Sequence, residues 1–518
     1  MYIYRYFILF GMLLITFLPA SAFAQSEFPL WGKLEAGRYQ VGYRTVFARD
    51  QSRTYDVDFG ASLKRANNTG RPVQISIWYP ATVDSKAKRM SFSDYVYLLA
   101  SEETFGPVTG EQKLIAKQKL IMHLKWWTSQ TASMERVDQL MTVSTGAYKD
   151  AAPMQGTEKF PLILLAQGAH QSSFYHSILA EYLASHGFVV ATSPSMGMTS
   201  RLMPATLKGG ETQARDVEYI LAFMNDQPYV DQSRIAVTAF SFGGVAASLV
   251  QMRNARVRAV LSLDSVMGFG RFTPIIKQSA YFDLTRANVP YMHMMPQEGN
   301  GFDLTYLESL KYAPMSVLKF KGLAHFDFSS LGVFENRIFP VPSDHATTIQ
   351  NGYEIVCKYA LNFFKGFLKD DREALAFIKR SPEENGIPAG LVVASTRMSS
   401  DAVPTSEQFG NLILTQGVET ALRQLNEIRK ADPANSLLEE QALNNLGYQL
   451  IFLGRVKDAI DIFKLNVELY PKSFNVYDSL AEGYMINGDK DLAIKNYELS
   501  LSLNPGNTNA VDKLKLIR

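Results

Sequence analysis

Cys357 is the only cysteine in the chain. A single thiol closes no internal disulfide, and no Cys/His cluster is available for a structural metal site. The fold must therefore hold by packing. Charge of one sign is also lacking: over 518 residues the formal net charge is only +2, with no run of five or more basic residues. This argues against a nucleic-acid surface. Beyond the N-terminal leader no apolar run approaches the ~20 residues a membrane span needs. Apolar residues still make up 47% of the chain, enough for large cores, and the length predicts two or three domains.

The leader reads MYIYRYFILFGMLLITFLPASAFAQ. Arg5 supplies a positive start, Phe7 to Leu18 an apolar core, and Ala22-Phe23-Ala24 a small-x-small cleavage site. This predicts a signal peptide over 1–24, cleaved after Ala24. The alternative, an N-terminal anchor, is disfavoured by the shortness of the run. No cysteine follows to take a lipid. The expected product is a soluble protein, periplasmic or secreted in a bacterium.

From residue 71 onward, strand and helix patterns alternate. Strands are predicted over 71–80, 160–168, 188–193, 234–240, 257–264, 289–295 and 316–322. Helices are predicted over 175–187, 211–226, after Ser241, and 351–368. Alternation of this kind predicts a doubly wound, mostly parallel sheet. Residues 93–150 interrupt it. FSDYVYLLASEE and EQKLIAKQKLIMHLKWW have helical spacing, so this segment reads as a helical insertion, either a cover for a pocket or simple edge packing.

STRMSSDAVPTSE, 395–407, lacks periodicity and reads as a linker closing a domain over 25–394. Beyond it, over 408–518, the sequence repeats. Gly447, Leu450, Ala459, Phe463 and Pro471 recur 34 residues later as Ala481, Tyr484, Ala493, Tyr497 and Pro505. A weaker unit precedes them at Gly417, Ala421, Leu425 and Pro433. Small, aromatic and proline positions at this period are the tetratricopeptide signature, an all-α array of antiparallel helix pairs. Such an array is expected to bind a protein or peptide partner.

The chemistry gathers around TAFSFGGVA. Ser241 lies between a predicted strand and a predicted helix, the setting of a G-x-S-x-G nucleophile elbow. Ala239 stands where the first glycine belongs, and Gly243 keeps the second small position. In this arrangement the acid and then the histidine follow the serine. Of seven histidines, His123 lies in the insertion, His170, His176 and His186 precede Ser241, and His293 is mid-strand. That leaves His325, in a loop just after a strand, and His345, near a helix start. His325 is the favoured base. The oxyanion donors are expected to be the N–H groups of Phe242, next to the nucleophile, and Ala169, in the loop after strand 160–168. For the acid, Asp264 ends the strand after the nucleophile's helix, where this class of sheet gathers its site. Glu298 or Asp303, one strand later, is the alternative.

In order along the chain, ISIWYPA, LLAQGAHQSS, LASHGFVVATSP, FSFGG, VLSLDS and GLAHFDFSS resemble the bacterial esterases grouped with dienelactone hydrolases and platelet-activating-factor acetylhydrolases. The resemblance spans roughly 38–370. It implies an α/β-hydrolase fold, hydrolysis of an ester, acyl or related bond, and an acid on the strand of Asp264; the chemistry expected here is two-step cleavage of a carboxylic ester through an acyl-Ser241 intermediate, with no cofactor. The chain departs from the pattern at Ala239 and at Gln167, where these enzymes often carry histidine. Dienelactone hydrolases proper use a cysteine where this chain has Ser241. A small-molecule or lipid ester is the implied substrate. A lipase or phospholipase with 93–150 as its lid, and a non-catalytic binding protein on a degenerate hydrolase scaffold, are the alternatives.

Overall fold

In a computed structural model of the chain, the described residues are 28–55, 70–103, 108–339, 342–399, 409–410, 412–414, 417–431 and 436–518. The expected signal peptide and most of the expected linker lie outside them. One sheet of eleven strands organises residues 40–397. Its strands are β1 (Gln40–Asp50), β2 (Arg71–Thr82), β3 (Ala147–Lys149), β4 (Ala152–Pro153), β5 (Phe160–Ala166), β6 (Val189–Thr192), β7 (Val230–Phe240), β8 (Val257–Leu263), β9 (Tyr291–Pro296), β10 (Met315–Phe320) and β11 (Val392–Arg397). The order across the sheet is β11-β10-β9-β8-β7-β5-β6-β2-β1-β3, with β4 paired to β2.

Strands β5 to β10 run parallel, while β1, β2 and β11 are antiparallel to their inner neighbours. This is the α/β-hydrolase arrangement. The inner parallel strands are largely apolar and buried, as in FPLILLA of β5, because helices cover both faces. Winding proceeds from β5 to β6 on one side and resumes at β7 on the other. The switch falls at the carboxyl ends of β5 and β7, where a crevice opens in such sheets.

The helices that matter for the site are α1 (Gly110–Thr128), α2 (Met134–Met141), α3 (Ser177–Ser185), α4 (Leu207–Asn225), α5 (Gly243–Arg253), α6 (Ser330–Ile338) and α7 (Ser343–Leu368). One apolar core joins α3, α6, α7 and the insertion to one face of the sheet. A second joins α4 and α5 to the other. The insertion is helical as expected over most of its length, but its end is not: Ala147–Lys149 forms β3 on the edge strand β1. Both ends of the insertion are fastened to one buried carboxylate. Glu181, on α3, accepts from Tyr95 OH at 2.7 Å, from Trp31 Nε1 at 3.0 Å and from Gly146 N at 2.8 Å. Burial pushes the Glu181 carboxyl up to about 6, against the pull of those three donors.

Two boundaries differ from the sequence reading. Helix α7 begins at Ser343 rather than 351. Its early turns face solvent and carry no apolar period, so the start is marked only by Pro342 and the short polar residues after it. The linker also begins later than 395. Ser395, Thr396 and Arg397 are in β11, opposite Val317, Ser316 and Met315. Their polar character is that of an exposed sheet edge. Arg397 also donates to the carbonyls of Leu310 and Glu308 at 2.6 and 3.1 Å.

Past the sheet the described chain is all α: α8 (Val418–Ala431), α9 (Glu440–Phe452), α10 (Val456–Leu469), α11 (Phe474–Asn487), α12 (Lys490–Leu503) and α13 (Thr508–Ile517). The repeated small positions let ring side chains in. A Cβ on Gly447 would stand 2.2 Å from Phe463 Cε1, and Ala481, Ala493 and Tyr497 are fully buried. Tyr312, in the loop before β10, is buried in the same apolar cluster as Phe409, Ile413 and Leu425.

These contacts set an expectation for shortened chains. A chain ending at Arg397 is expected to melt several degrees higher than one ending at Ala394, which severs β11. Equal melting temperatures by calorimetry would show that the outer half of β11 contributes nothing.

Candidate active site

Strand β7 delivers its last residue, Phe240, to a turn in which Ser241 has φ 52°. The left-handed region is unfavourable for most side chains. Ser241 is held there by its own backbone: its N–H donates to Leu263 O at 3.3 Å, and its carbonyl accepts from Val266 N at 2.9 Å and Gly244 N at 3.1 Å. The turn is crowded from the β5 side. A Cβ on Gly243 would lie 2.2 Å from Ala166 O, so only glycine fits. Ala239 is tolerated because its register partners, Ala166 on β5 and Ser262 on β8, are themselves small.

Gly243→Ala is therefore expected to shift the elbow. It should cost about 1–3 kcal/mol of stability and most of the activity. A variant as stable and active as wild type would show that β5 yields freely.

The three polar residues expected to act together do meet. His325 Nε2 lies 3.0 Å from Ser241 Oγ, and His325 Nδ1 lies 2.6 Å from Asp264 Oδ2. A carboxylate only accepts, so Nδ1 carries the proton and Nε2 presents its lone pair to the serine hydroxyl. Asp264 follows β8, with a 3% exposed side chain and φ 39°. Its N–H donates to Met294 O at 2.6 Å. His325 opens a short turn after β10, fixed where Asp327 Oδ2 accepts from Ala324 N at 2.7 Å. Phe240 lies against the imidazole face, with centroids 4.7 Å apart at 27°, and Phe326 meets it edge-on at 5.1 Å. Of six non-glycine residues with positive φ among the described residues, three are His170, Ser241 and Asp264. Concentrated backbone strain of this kind marks functional sites.

The alternatives lie elsewhere. Glu298 is exposed and accepts from Gly322 N at 3.3 Å. Asp303 is exposed, and its hydrogen bonds from Thr305 lower its pKa. His345 is exposed in the first turn of α7, and His293 is fully buried on β9, with Nδ1 2.7 Å from Ser262 Oγ.

The loop after β5 brings its backbone against the nucleophile. A Cβ on Gly168 would lie 3.1 Å from Ser241 Cβ and 2.9 Å from Phe240. Gly168 N is already taken by Gln171 Oε1 at 3.1 Å. Ala169 N is the loop's next donor, and Phe242 N lies at the amino end of α5, where the helix dipole favours negative charge. Gln167, the departure noted in the sequence, is a cross-link. It is fully buried, and its Nε2 donates to Thr192 Oγ1 at 3.2 Å and Ser173 O at 3.3 Å.

Sequence reasoning missed Gln171, Phe240 and Arg201. The Arg201 guanidinium donates to His170 O at 3.1 Å, Ser172 Oγ at 3.2 Å and Ser195 O at 2.7 Å, and pairs with buried Glu102 at 2.7 Å. It thereby pins the loop that carries Ala169. No local pattern marks an arginine whose partners are so far off in sequence. Among the described residues, no group of three or more His, Cys, Asp or Glu side chains could hold a metal ion.

Residues 145–281 match a model of the FrsA-like esterase family, a stretch that includes Ala169, Ser241, Phe242 and Asp264 but not His325. A solved ferulic acid esterase from Streptomyces cinnamoneus aligns at TM-score 0.43 and 18% identity, over 65% of this chain and 93% of that one. Among curated proteins, the chain is 32% identical over 123 residues to "Esterase FrsA" of Yersinia pestis (strain Pestoides F) and of Yersinia pseudotuberculosis serotype O:1b (strain IP 31758). The matched stretch is 22% of this chain, which spans 28% of the length of those relatives.

Proposed function

We propose that the chain is a serine esterase that cleaves carboxylic esters through an acyl-Ser241 intermediate. The observation that carries this reading is the continuous line from Ser241 Oγ to His325 Nε2 and from His325 Nδ1 to Asp264 Oδ2, at 3.0 and 2.6 Å. His325 takes the hydroxyl proton as Oγ attacks the ester carbonyl carbon. The oxygen of the tetrahedral intermediate gains negative charge and is received by the N–H groups of Ala169 and Phe242. Collapse breaks the ester C–O bond, and His325 returns the proton to the departing alcohol. Water then adds to the acyl carbon as His325 takes its proton; collapse breaks the acyl C–Oγ bond, His325 returns the proton to Oγ, and the acid and free Ser241 are released. The scheme uses no cofactor. Partial similarity to FrsA esterases supports the reaction class.

We assign the C-terminal helices as a tetratricopeptide array for a protein or peptide partner, and 1–24 as an export signal. An intact acid–base–nucleophile line favours catalysis over a degenerate scaffold. A fluorophosphonate probe tests the reading. Wild type should take up close to one equivalent, with loss of activity towards p-nitrophenyl esters. No labelling, or labelling unchanged in Ser241→Ala, would overturn it.

A further inference from the structure

Between α1 of the insertion and the loops leaving β5 and β6 lies a cavity of about 470 Å³, within the range that holds small organic ligands. It sits beside the candidate site on two sides. His170 lines it and is two residues beyond Gly168, so it lies within about 7 Å of chain from the backbone packed on Ser241. Next to Trp126 of its wall, Trp127 meets Phe326 edge-on at 4.9 Å, and Phe326 follows His325.

The wall is apolar where it meets solvent. Met122, Trp126 and Leu202 are 60%, 54% and 67% exposed. Grouped exposure of large apolar side chains marks a binding surface. Trp126 is stacked on Trp127 at 4.7 Å and 24°, and leans on the His170 ring at 4.9 Å. The indole is thereby held by its neighbours, and more than half of it faces outward.

Charged groups are present but already engaged. Arg201 pairs with Glu102 and holds three oxygens of the β5 and β6 loops. Glu103 accepts from Tyr55 OH at 3.0 Å, and Lys119 Nζ donates to Leu99 O at 2.9 Å. Both histidines of the wall are neutral at physiological pH. Burial, helped by nearby Arg201, lowers His170 and pushes His123 down to about 3. His170 Nδ1 accepts from Met203 N at 3.0 Å. A charged ligand would compete with these pairings, whereas an apolar ring only displaces water from the Trp126, Met122 and Leu202 surface.

We infer that this cavity is a substrate subsite for an uncharged aromatic group, at the acyl or the alcohol end of the ester, with Trp126 as its specificity-determining residue. The assignment rests on Ser241 being the nucleophile of an esterase.

Two measurements on the full chain separate the two ideas. In the first, the Ser241→Ala variant is titrated with methyl 2-naphthoate and with 2-naphthyl acetate, following tryptophan fluorescence. Saturable quenching is expected for at least one ester, and should be lost in Ser241→Ala/Trp126→Ala. In the second, wild type and Trp126→Ala are compared on ethyl acetate and on the same two naphthyl esters. Trp126→Ala should raise KM for a naphthyl ester by about tenfold, with kcat nearly unchanged and ethyl acetate unaffected. Trp126→Phe should recover most of the loss. The ester that responds identifies the end that is bound. A 6-carboxy-2-naphthyl ester should be the poorer substrate by about tenfold or more.

Equal losses on all esters, no loss on any, or a preference for the carboxylated ester would overturn the subsite. If Ser241→Ala binds the naphthyl probe in a Trp126-dependent way while wild type hydrolyses nothing, the cavity stands and the esterase reading falls.

Discussion

Replacing Ser241 by alanine should lower kcat on p-nitrophenyl acetate by about 10⁴- to 10⁶-fold and leave the melting temperature within a few degrees of wild type. Without Oγ, His325 Nε2 has no hydroxyl proton to take, and no acyl-enzyme can form. The proposed oxyanion donors and substrate binding remain, so some catalysis above the solution rate should persist. The fold is indifferent to the change because Ser241 is held at φ 52° by its backbone hydrogen bonds, not by its side chain. Steady-state rates and calorimetry on the same preparation check both halves. Retention of more than about a tenth of wild-type activity would remove Ser241 from the reaction.

The second large effect belongs to Asp264. Asp264→Asn keeps the shape and tolerates the left-handed backbone, since asparagine also adopts that region readily. Its amide can present a donor to His325 Nδ1, which then favours the tautomer with the proton on Nε2. That nitrogen can no longer accept from Ser241, and kcat should fall by about 10⁴-fold. Glu298→Gln and Asp303→Asn should stay near wild type, since neither carboxylate is hydrogen-bonded to His325. A near-normal Asp264→Asn beside a collapsed Glu298→Gln or Asp303→Asn would transfer the acid to that residue.

Much of this site was legible because a parallel sheet converts sequence order into spatial order. Ser241, Asp264 and His325 each follow a strong apolar run, and such runs end on one edge of the sheet. The loop that carries Ala169 follows such a run too, though the sequence holds no sign that Gly168 N is engaged by Gln171 Oε1. Edge strands were less legible. In β1 arginines and an aspartate interrupt the apolar positions, and the strand is completed by pairing with β2. In β11 the exposed outer residues look like linker. Arg201 and Gln167 were missed or misread because their partners come from other segments, and no spacing rule encodes such contacts.

The double attachment of the insertion to Glu181 has a consequence in polymer terms. Tyr95 and Gly146 bring the ends of a segment of about fifty residues to one carboxylate, a closure costing roughly 3–4 kcal/mol of chain entropy. That cost grows only with the logarithm of length. Ten more residues between 103 and 110 would add only about 0.2 kcal/mol, with both ends still fastened at Glu181. The loop ahead of the helix that walls the cavity can thus be lengthened at little thermodynamic penalty, while Ser241, Asp264 and His325 stay fixed at the edge of the sheet. On the proposed esterase reading, substrate range can drift in such a protein without the chemistry drifting with it.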